Sequence, residues 1–334
     1  MGDLSTRRAF LGQAALGGWA LGTAFSPLSE ESLLAAPQET QEPRVATADS
    51  IPIVDTHLHL WDLEKFDLPW TKGAPALNRS FVMSDYLAAT KGLNLAKAVY
   101  MEVDVTPAQQ VREAEYVIDI CQRGDTPMVA AVISGRPADP KFKDYVARFA
   151  GNKFIKGIRQ VLHGEETPPG YCLQPQFVKG IQLLGEEGLS FDLCMRSSEM
   201  ADAVKLVKQC PKTRFILDHC GNLDVHSTDE KLRKSWEQGL KELAQNERLV
   251  CKISGIVASA RKGWKPEDLA PVAGYAMETF GPDRRMFGGD WPVCTLGATY
   301  AEWVGALRQI VKEMSAPDQK KLFHDNAVRF YGLK

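Results

Sequence analysis

From residue 51 onward the chain alternates short apolar runs with amphipathic stretches, and the alternation repeats eight times. The apolar runs fall at 53–60, 97–103, 128–134, 154–162, 190–196, 214–219, 249–254 and 285–290, each the length of a buried strand. Between them apolar residues recur at helical spacing, as in Val111, Ala114, Ile118 and Cys121, or Phe177, Ile181 and Leu184. Leu232, Trp236, Leu240 and Leu243 make a third such face, and Trp303, Leu307, Ile310 and Met314 a fourth. Strand–helix alternation of this kind predicts a parallel sheet covered by helices. Eight units in roughly 280 residues are the size of a (β/α)8 TIM barrel, so residues 51–334 are expected to form a single-domain α/β barrel. An open doubly wound sheet is the rival, but no glycine-rich phosphate loop follows the first run.

Composition narrows the partners. Of 334 residues 44% are hydrophobic and 25% charged, and the net charge is -2. That balance gives no field for nucleic acid or a membrane surface, and leaves a small molecule as the expected partner. A homo-oligomer is compatible with it. The seven cysteines show no Cys-x-x-Cys spacing, so neither a disulfide framework nor a thiolate zinc site is expected. Cys194, Cys220, Cys251 and Cys294 lie in or beside apolar runs and are read as core.

The first residues carry an address. Arg7 and Arg8 precede Phe10 and Leu11, and then comes a Gly/Ala-rich stretch, 14–25, too short and too weakly apolar to span a bilayer. This resembles the bacterial twin-arginine export signal, which a receptor reads and which is not a membrane anchor. The expected organisation is a signal at 1–25, a polar linker at 26–50 and the barrel at 51–334, in a protein exported to the periplasm or beyond.

A barrel concentrates chemistry at the carboxyl ends of its strands. His57 and His59 end the first run, Arg159 lies late in the fourth, Arg196 ends the fifth, Asp218 and His219 end the sixth, and Asp290 ends the eighth. Strand alternation puts Asp55, His57 and His59 on one side. If His219 faces the axis, Asp218 points toward the helices. Three imidazoles (His57, His59, His219) and the Asp290 carboxylate at one mouth are the ligand set of a catalytic divalent metal, with a position left for water. Arg159 or Lys252 also suits a buried ion pair with Glu102. His163, just after the fourth run, reaches substrate from a loop; Trp61, Trp70 and Trp291 suit either stacking on a sugar ring or packing in the core. His226 and His324 are read as structural or solvated.

On these residues the chain resembles the amidohydrolase superfamily, in the amidohydrolase-2 branch. The resemblance rests on Asp55-Thr56-His57-Leu58-His59-Leu60-Trp61, Lys156-Gly157-Ile158-Arg159, Leu217-Asp218-His219-Cys220-Gly221, Phe287-Gly288-Gly289-Asp290-Trp291-Pro292 and Asn326-Ala327-Val328-Arg329-Phe330-Tyr331. The stretches 59–62 and 289–294 are most similar to lactone hydrolases of the L-fuconolactonase and L-rhamnonolactonase type. The resemblance implies a floor of His57, His59 and His219, metal-bound or simply polar, with Asp290 as general base. Many superfamily members bridge two metals with a fourth-strand Lys or Glu and a fifth-strand His. This chain has Arg159-Gln160 and Asp192-Leu193-Cys194-Met195-Arg196 there, which implies one divalent ion, zinc by preference, and leaves a metal-free mechanism open.

The expected reaction is the opening of a sugar-acid or carboxylate lactone. Asp290 activates water, the metal or the imidazoles with Arg159 stabilise the oxyanion, and Arg159 and Arg196 hold a substrate carboxylate. A metal-dependent decarboxylase of the same branch and a non-catalytic binding barrel are the alternatives.

Overall fold

The computed structural model describes residues 51–334; the signal and linker read at 1–50 lie outside the described residues. Eight strands form one sheet in sequence order: β1 (Ile53–Leu58), β2 (Leu95–Met101), β3 (Met128–Ser134), β4 (Ile155–Val161), β5 (Ser190–Cys194), β6 (Arg214–Leu217), β7 (Leu249–Ile253) and β8 (Arg285–Phe287). Each neighbouring pair is parallel. Helices α1 (Met83–Ala89), α2 (Gln110–Arg123), α3 (Phe142–Phe149), α4 (Pro175–Glu186), α5 (Met200–Gln209), α6 (Glu230–Leu243), α7 (Pro266–Phe280) and α8 (Tyr300–Ile310) follow the strands in turn. The expected (β/α)8 barrel is therefore present. Its strands stop two to three residues short of most predicted carboxyl ends, so that His59, Asp218, His219 and Asp290 sit just beyond regular structure.

Two apolar layers account for the alternation along the strands. The outward residues, among them Leu58, Ala98, Ile133, Phe191, Leu217 and Phe287, pack against the helices in the main core. The inward ones, Val54, Val99, Ala130, Ile216, Val250 and Met286, fill the amino-terminal half of the barrel. The C-terminal helix α9 (Asn326–Tyr331) closes that end, with Ala327 and Tyr331 joining the inner cluster. The Asn326 amide donates to the carbonyls of Pro282 at 2.8 Å and Arg285 at 2.7 Å, fixing the helix at the start of β8.

Closure between β8 and β1 uses few ladder bonds. The amide of Asp290 donates to the His57 carbonyl at 2.8 Å, and that of His59 donates to the Trp291 carbonyl at 2.8 Å. The carboxylate of Asp55 adds a clamp. Its Oδ1 accepts from the backbone amides of His57 at 2.9 Å and Gly289 at 2.7 Å, and its Oδ2 accepts from the Tyr86 hydroxyl at 2.8 Å and the Tyr300 hydroxyl at 3.0 Å.

Asp55 thus faces the helices, not the axis, which corrects the expectation that it shares a side with His57 and His59. The reason is a β-bulge. Three steps along β1, Asp55 to Leu58, match only two along β2, Ala98 to Tyr100, so the alternation slips by one and the histidines turn inward.

Removing the carboxylate would strand four buried donors. Asp55→Ala is expected to lower the unfolding free energy by roughly 3–5 kcal/mol. Asp55→Asn, which keeps one acceptor oxygen and can donate to the phenol oxygens, should cost less than half as much. Urea denaturation reads both, and equal losses would contradict the clamp.

Candidate active site

Four strand ends bring the site together. His57 and His59 follow the bulge in β1; Arg159 points inward from β4; Asp218 and His219 leave β6; Asp290 leaves β8. They meet at the base of a cavity of about 640 Å³, a volume suited to a small organic ligand. His59, Arg159, His219 and Asp290 line it, together with Trp61, Trp70 and His163. His57 lies one layer lower and is fully buried.

Local backbone geometry aims two of these side chains. His219, Cys220 and Asn222 all have positive φ, at 52°, 53° and 56°, with Gly221 between them at 78°. This left-handed turn is unusual for side-chain-bearing residues, and it is held from outside: the Trp236 indole donates to the Cys220 carbonyl at 2.8 Å, and the Asn222 amide donates to the Met195 carbonyl at 2.9 Å. Asp290 is also left-handed, φ 53°, beside Gly288, whose carbonyl takes the Trp303 indole proton at 3.0 Å. Because β6 ends in this turn, Asp218 continues the inward side of Ile216, and the turn then brings His219 inward as well. The expectation that Asp218 points toward the helices is corrected.

Polar contacts define what each group can do. The Nδ1 of His59 lies 3.0 Å from the carbonyls of Met101 and of Glu102, so that nitrogen carries the proton and Nε2 faces Asp290 Oδ1 at 3.3 Å. Burial, reinforced by Arg159, pushes His59 down to about 3, which keeps the ring neutral. His219 Nδ1 contacts Ser254 Oγ at 2.9 Å, and its ring lies tilted by 52° against that of His57 with centroids 4.5 Å apart. Burial raises Asp290 to about 6. Arg159 donates through Nε to Glu102 Oε1 at 2.7 Å and through Nη2 to the Glu102 carbonyl at 2.8 Å, and its Nη1 lies 3.2 Å from His57 Nε2. The Glu102 ion pair read from the sequence is therefore that of Arg159.

Beneath the floor lies a charge cluster that sequence reasoning missed as part of the site. Lys252 Nζ donates to Asp192 Oδ2 at 2.6 Å and lies 3.3 Å from Asp218 Oδ1. Burial alone would raise the Asp218 carboxyl, but Lys252 and His57 overcome it and hold the group well below the usual carboxylate range. The legible signal was period-2 alternation from Ile216 and Val250, both inward, which places Asp218 and Lys252 inward too.

The donor set can be tested against a metal. His57, His59 and Asp290 hold three ligand atoms within 4.8 Å of one another, two imidazoles and a carboxylate, as a catalytic divalent ion requires. Charge agrees. Glu102, Asp192, Asp218 and Asp290 face only Arg159 and Lys252, an imbalance that one divalent cation would cancel. A second group, His57, Asp218 and His219, shares His57. There Asp218 already faces Lys252 at 3.3 Å and Arg159 at 3.6 Å, so a second ion would meet two fixed positive charges. The residues fit one ion, which His57 Nε2 would take in exchange for its Arg159 Nη1 contact at 3.2 Å, with His219 outside that trio of ligands.

Two candidate residues are not brought to the cavity. Arg196 spends its guanidinium on the carbonyls of Leu162, Thr167 and Gly164 and on the Glu199 carboxylate, at 2.7–2.9 Å, tying down the loop after β4. Trp291 turns outward and packs on Phe81 and Tyr86. Trp61 and Trp70 do form one wall, with ring centroids 5.4 Å apart.

Comparison with known proteins agrees with this architecture. The amidohydrolase family model matches residues 54–333. An uncharacterised protein of Sinorhizobium fredii is 30% identical over 84% of this chain and 98% of its own. An L-fucono-1,5-lactonase of Burkholderia multivorans is 29% identical over 84% of this chain and 96% of its own. Among solved structures, a zinc-bound amidohydrolase from Burkholderia multivorans superposes with a TM-score of 0.75 at 24% identity, covering 85% of this chain and all of that one.

The His219 ring rests directly on Gly255. A Cβ there would lie 2.2 Å from His219 Nδ1, and Gly255 itself has φ +69°. Gly255→Ala is therefore expected to displace the ring and cut turnover by roughly a hundredfold, while circular dichroism shows the barrel retained.

Proposed function

Because this chain belongs to the amidohydrolase family, a family of hydrolases, we propose that it opens the ring of a neutral, hydroxyl-bearing lactone by water attack. The observation that carries the neutral class is the charge at the cavity. Arg159 is the one Lys or Arg among the lining residues, and Glu102 neutralises it; Asp104, Asp224 and Asp290 line the same space. A substrate carboxylate would meet no side-chain cation in excess of the carboxylates, because Glu102 offsets Arg159, Arg196 is engaged by its own loop, and one divalent ion would only balance the acidic groups of the floor. Hydroxyl groups, by contrast, suit Asp104, Asp224, Asn222 and Ser259, and the Trp61–Trp70 wall suits the apolar face of a sugar ring.

The residues divide the work as follows. Asp290 takes a proton from water while the water oxygen bonds to the lactone carbonyl carbon. Three of the five N–H groups of Arg159 are engaged, and since Arg159 lines the cavity, the other two are in our reading the donors that meet the developing oxyanion. The acyl bond to the ring oxygen then breaks, and protonated Asp290 returns its proton to the departing alkoxide, giving the open hydroxy acid. His57, His59 and Asp290 would hold a divalent ion, zinc in our reading, whose chemistry is to polarise the carbonyl.

The test compares neutral sugar lactones with lactones carrying a carboxylate, followed by acid release. Neutral substrates are expected to give kcat/KM at least tenfold higher, and Asp290→Asn to lower kcat by roughly 10²–10⁴-fold. Carbon dioxide release from aromatic acids without lactone opening would overturn the proposal in favour of a decarboxylase. Metal analysis and dialysis against a chelator are expected to find one zinc per chain and a loss of turnover that zinc restores.

We also place the enzyme outside the cytoplasm, on the strength of Arg7 and Arg8. Replacing both by Lys is expected to hold the protein in the cytoplasm, read by cell fractionation.

A further inference from the structure

The fully buried residues beneath the cavity have no contact with substrate in the mechanism above, yet they surround His57, the one histidine of the site that does not line the cavity. Arg159 Nη1 lies 3.2 Å from His57 Nε2. A guanidinium only donates, and this contact is shorter than the one the Lys252 ammonium makes to Nδ1 at 3.4 Å, so we read Nε2 as the acceptor and the ring proton as lying on Nδ1. Two groups lie near that nitrogen: Asp218 Oδ1 at 3.5 Å and Lys252 Nζ at 3.4 Å. An ammonium cannot accept a proton, so only Asp218 can take this one.

We propose that Asp218, held from below by Lys252, is a positioning residue for His57, taking the Nδ1–H and keeping the Nε2 lone pair turned toward Arg159 and Asp290. Three observations support the assignment. Asp218 is fully buried, and neither of its oxygens has another hydrogen-bond partner. The 3.5 Å separation is long, as such contacts commonly are before substrate binds. Lys252 is fully buried too, and its charge is shared between Asp192 at 2.6 Å and Asp218 at 3.3 Å, which fixes the two carboxylates against mutual repulsion. The consequence reaches the chemistry whichever partner Nε2 has. With that lone pair available, His57 accepts from Arg159 or binds an ion; with the proton on Nε2 it does neither.

The turnover part of the test rests on the hydrolytic reading of the site, whereas the spectroscopic part does not. Long-range ¹⁵N–¹H spectra of ¹⁵N-histidine-labelled protein, with His57 assigned by its absence in His57→Gln, are expected to show a protonated Nδ1 and an unprotonated Nε2. Asp218→Asn, whose amide can donate to Nδ1, is expected to move the proton to Nε2 and to lower kcat roughly 10- to 100-fold with KM unchanged. Lys252→Met/Asp192→Leu removes one buried charge of each sign and leaves Asp218 facing Arg159 Nη1 at 3.6 Å, and should keep the fold while lowering kcat in the same way.

A wild-type spectrum with a protonated Nε2 overturns the proposal whether or not any variant folds. So does an unchanged kcat in both the Asp218 variant and the double variant. If wild-type protein opens no lactone, the functional reading fails while the His57 spectrum still decides this one.

Discussion

The Asp55 carboxylate accepts four hydrogen bonds, from two backbone amides and two tyrosine hydroxyls, and these tie the end of β1 to the loop leaving β8. A barrel whose last strand is only three residues long has little ladder with which to close. The clamp sits where that ladder is missing. One of its backbone donors belongs to His57 and the other to the residue before Asp290, so the same carboxylate sets the separation between a floor histidine and the proposed base. Closing the fold and aligning the site are one constraint here, which is why a fully buried, charged side chain is tolerated in the outer core.

The site depends on departures from regular structure more than on the strands themselves. The bulge in β1 converts a position that would face the helices into one that faces the axis, and the left-handed turn after β6 delivers two consecutive residues, Asp218 and His219, to the same interior. Neither irregularity is free, because positive φ at residues such as His219 and Asp290 costs on the order of 1–3 kcal/mol each. The strain is countered from the outer layer. Trp236 and Trp303, fully buried on α6 and α8, each donate an indole proton to a carbonyl of these loops. Residues that look like plain helix core therefore set the backbone that aims the side chains of the candidate site.

Much of this was legible beforehand. Periodicity located all eight strands, and β3 to the residue, because buried parallel strands read as uninterrupted apolar runs. The histidines, Arg159 and Asp290 followed from the rule that strand ends carry the chemistry. Orientation failed at Asp55 and Asp218, since alternation assumes an unbroken strand and nothing in the local composition announces a bulge or a left-handed turn of Asp-His-Cys-Gly. Arg196 and Trp291 were misplaced for a different reason. An arginine at a strand end looks the same whether it faces a ligand or three carbonyls of its own loop, and only the fold of residues 162–167 decides which.

The interior charge and the neutrality of the proposed substrate are linked. Four carboxylates face two fixed cations around the floor, so even with one divalent ion bound the floor carries no positive excess, and an anionic ligand would place a net negative charge in a setting of low dielectric. A neutral lactone does not. In the proposed water attack Asp290 would lose its charge as it takes the proton, while the carbonyl oxygen would gain one. The net charge of the buried site therefore stays constant along the reaction coordinate, and only its position shifts, from Asp290 toward Arg159. Hydrolysis by a buried base is least costly when the substrate arrives uncharged, so the same electrostatics that disfavour a carboxylate in the cavity favour the transition state of a neutral ring.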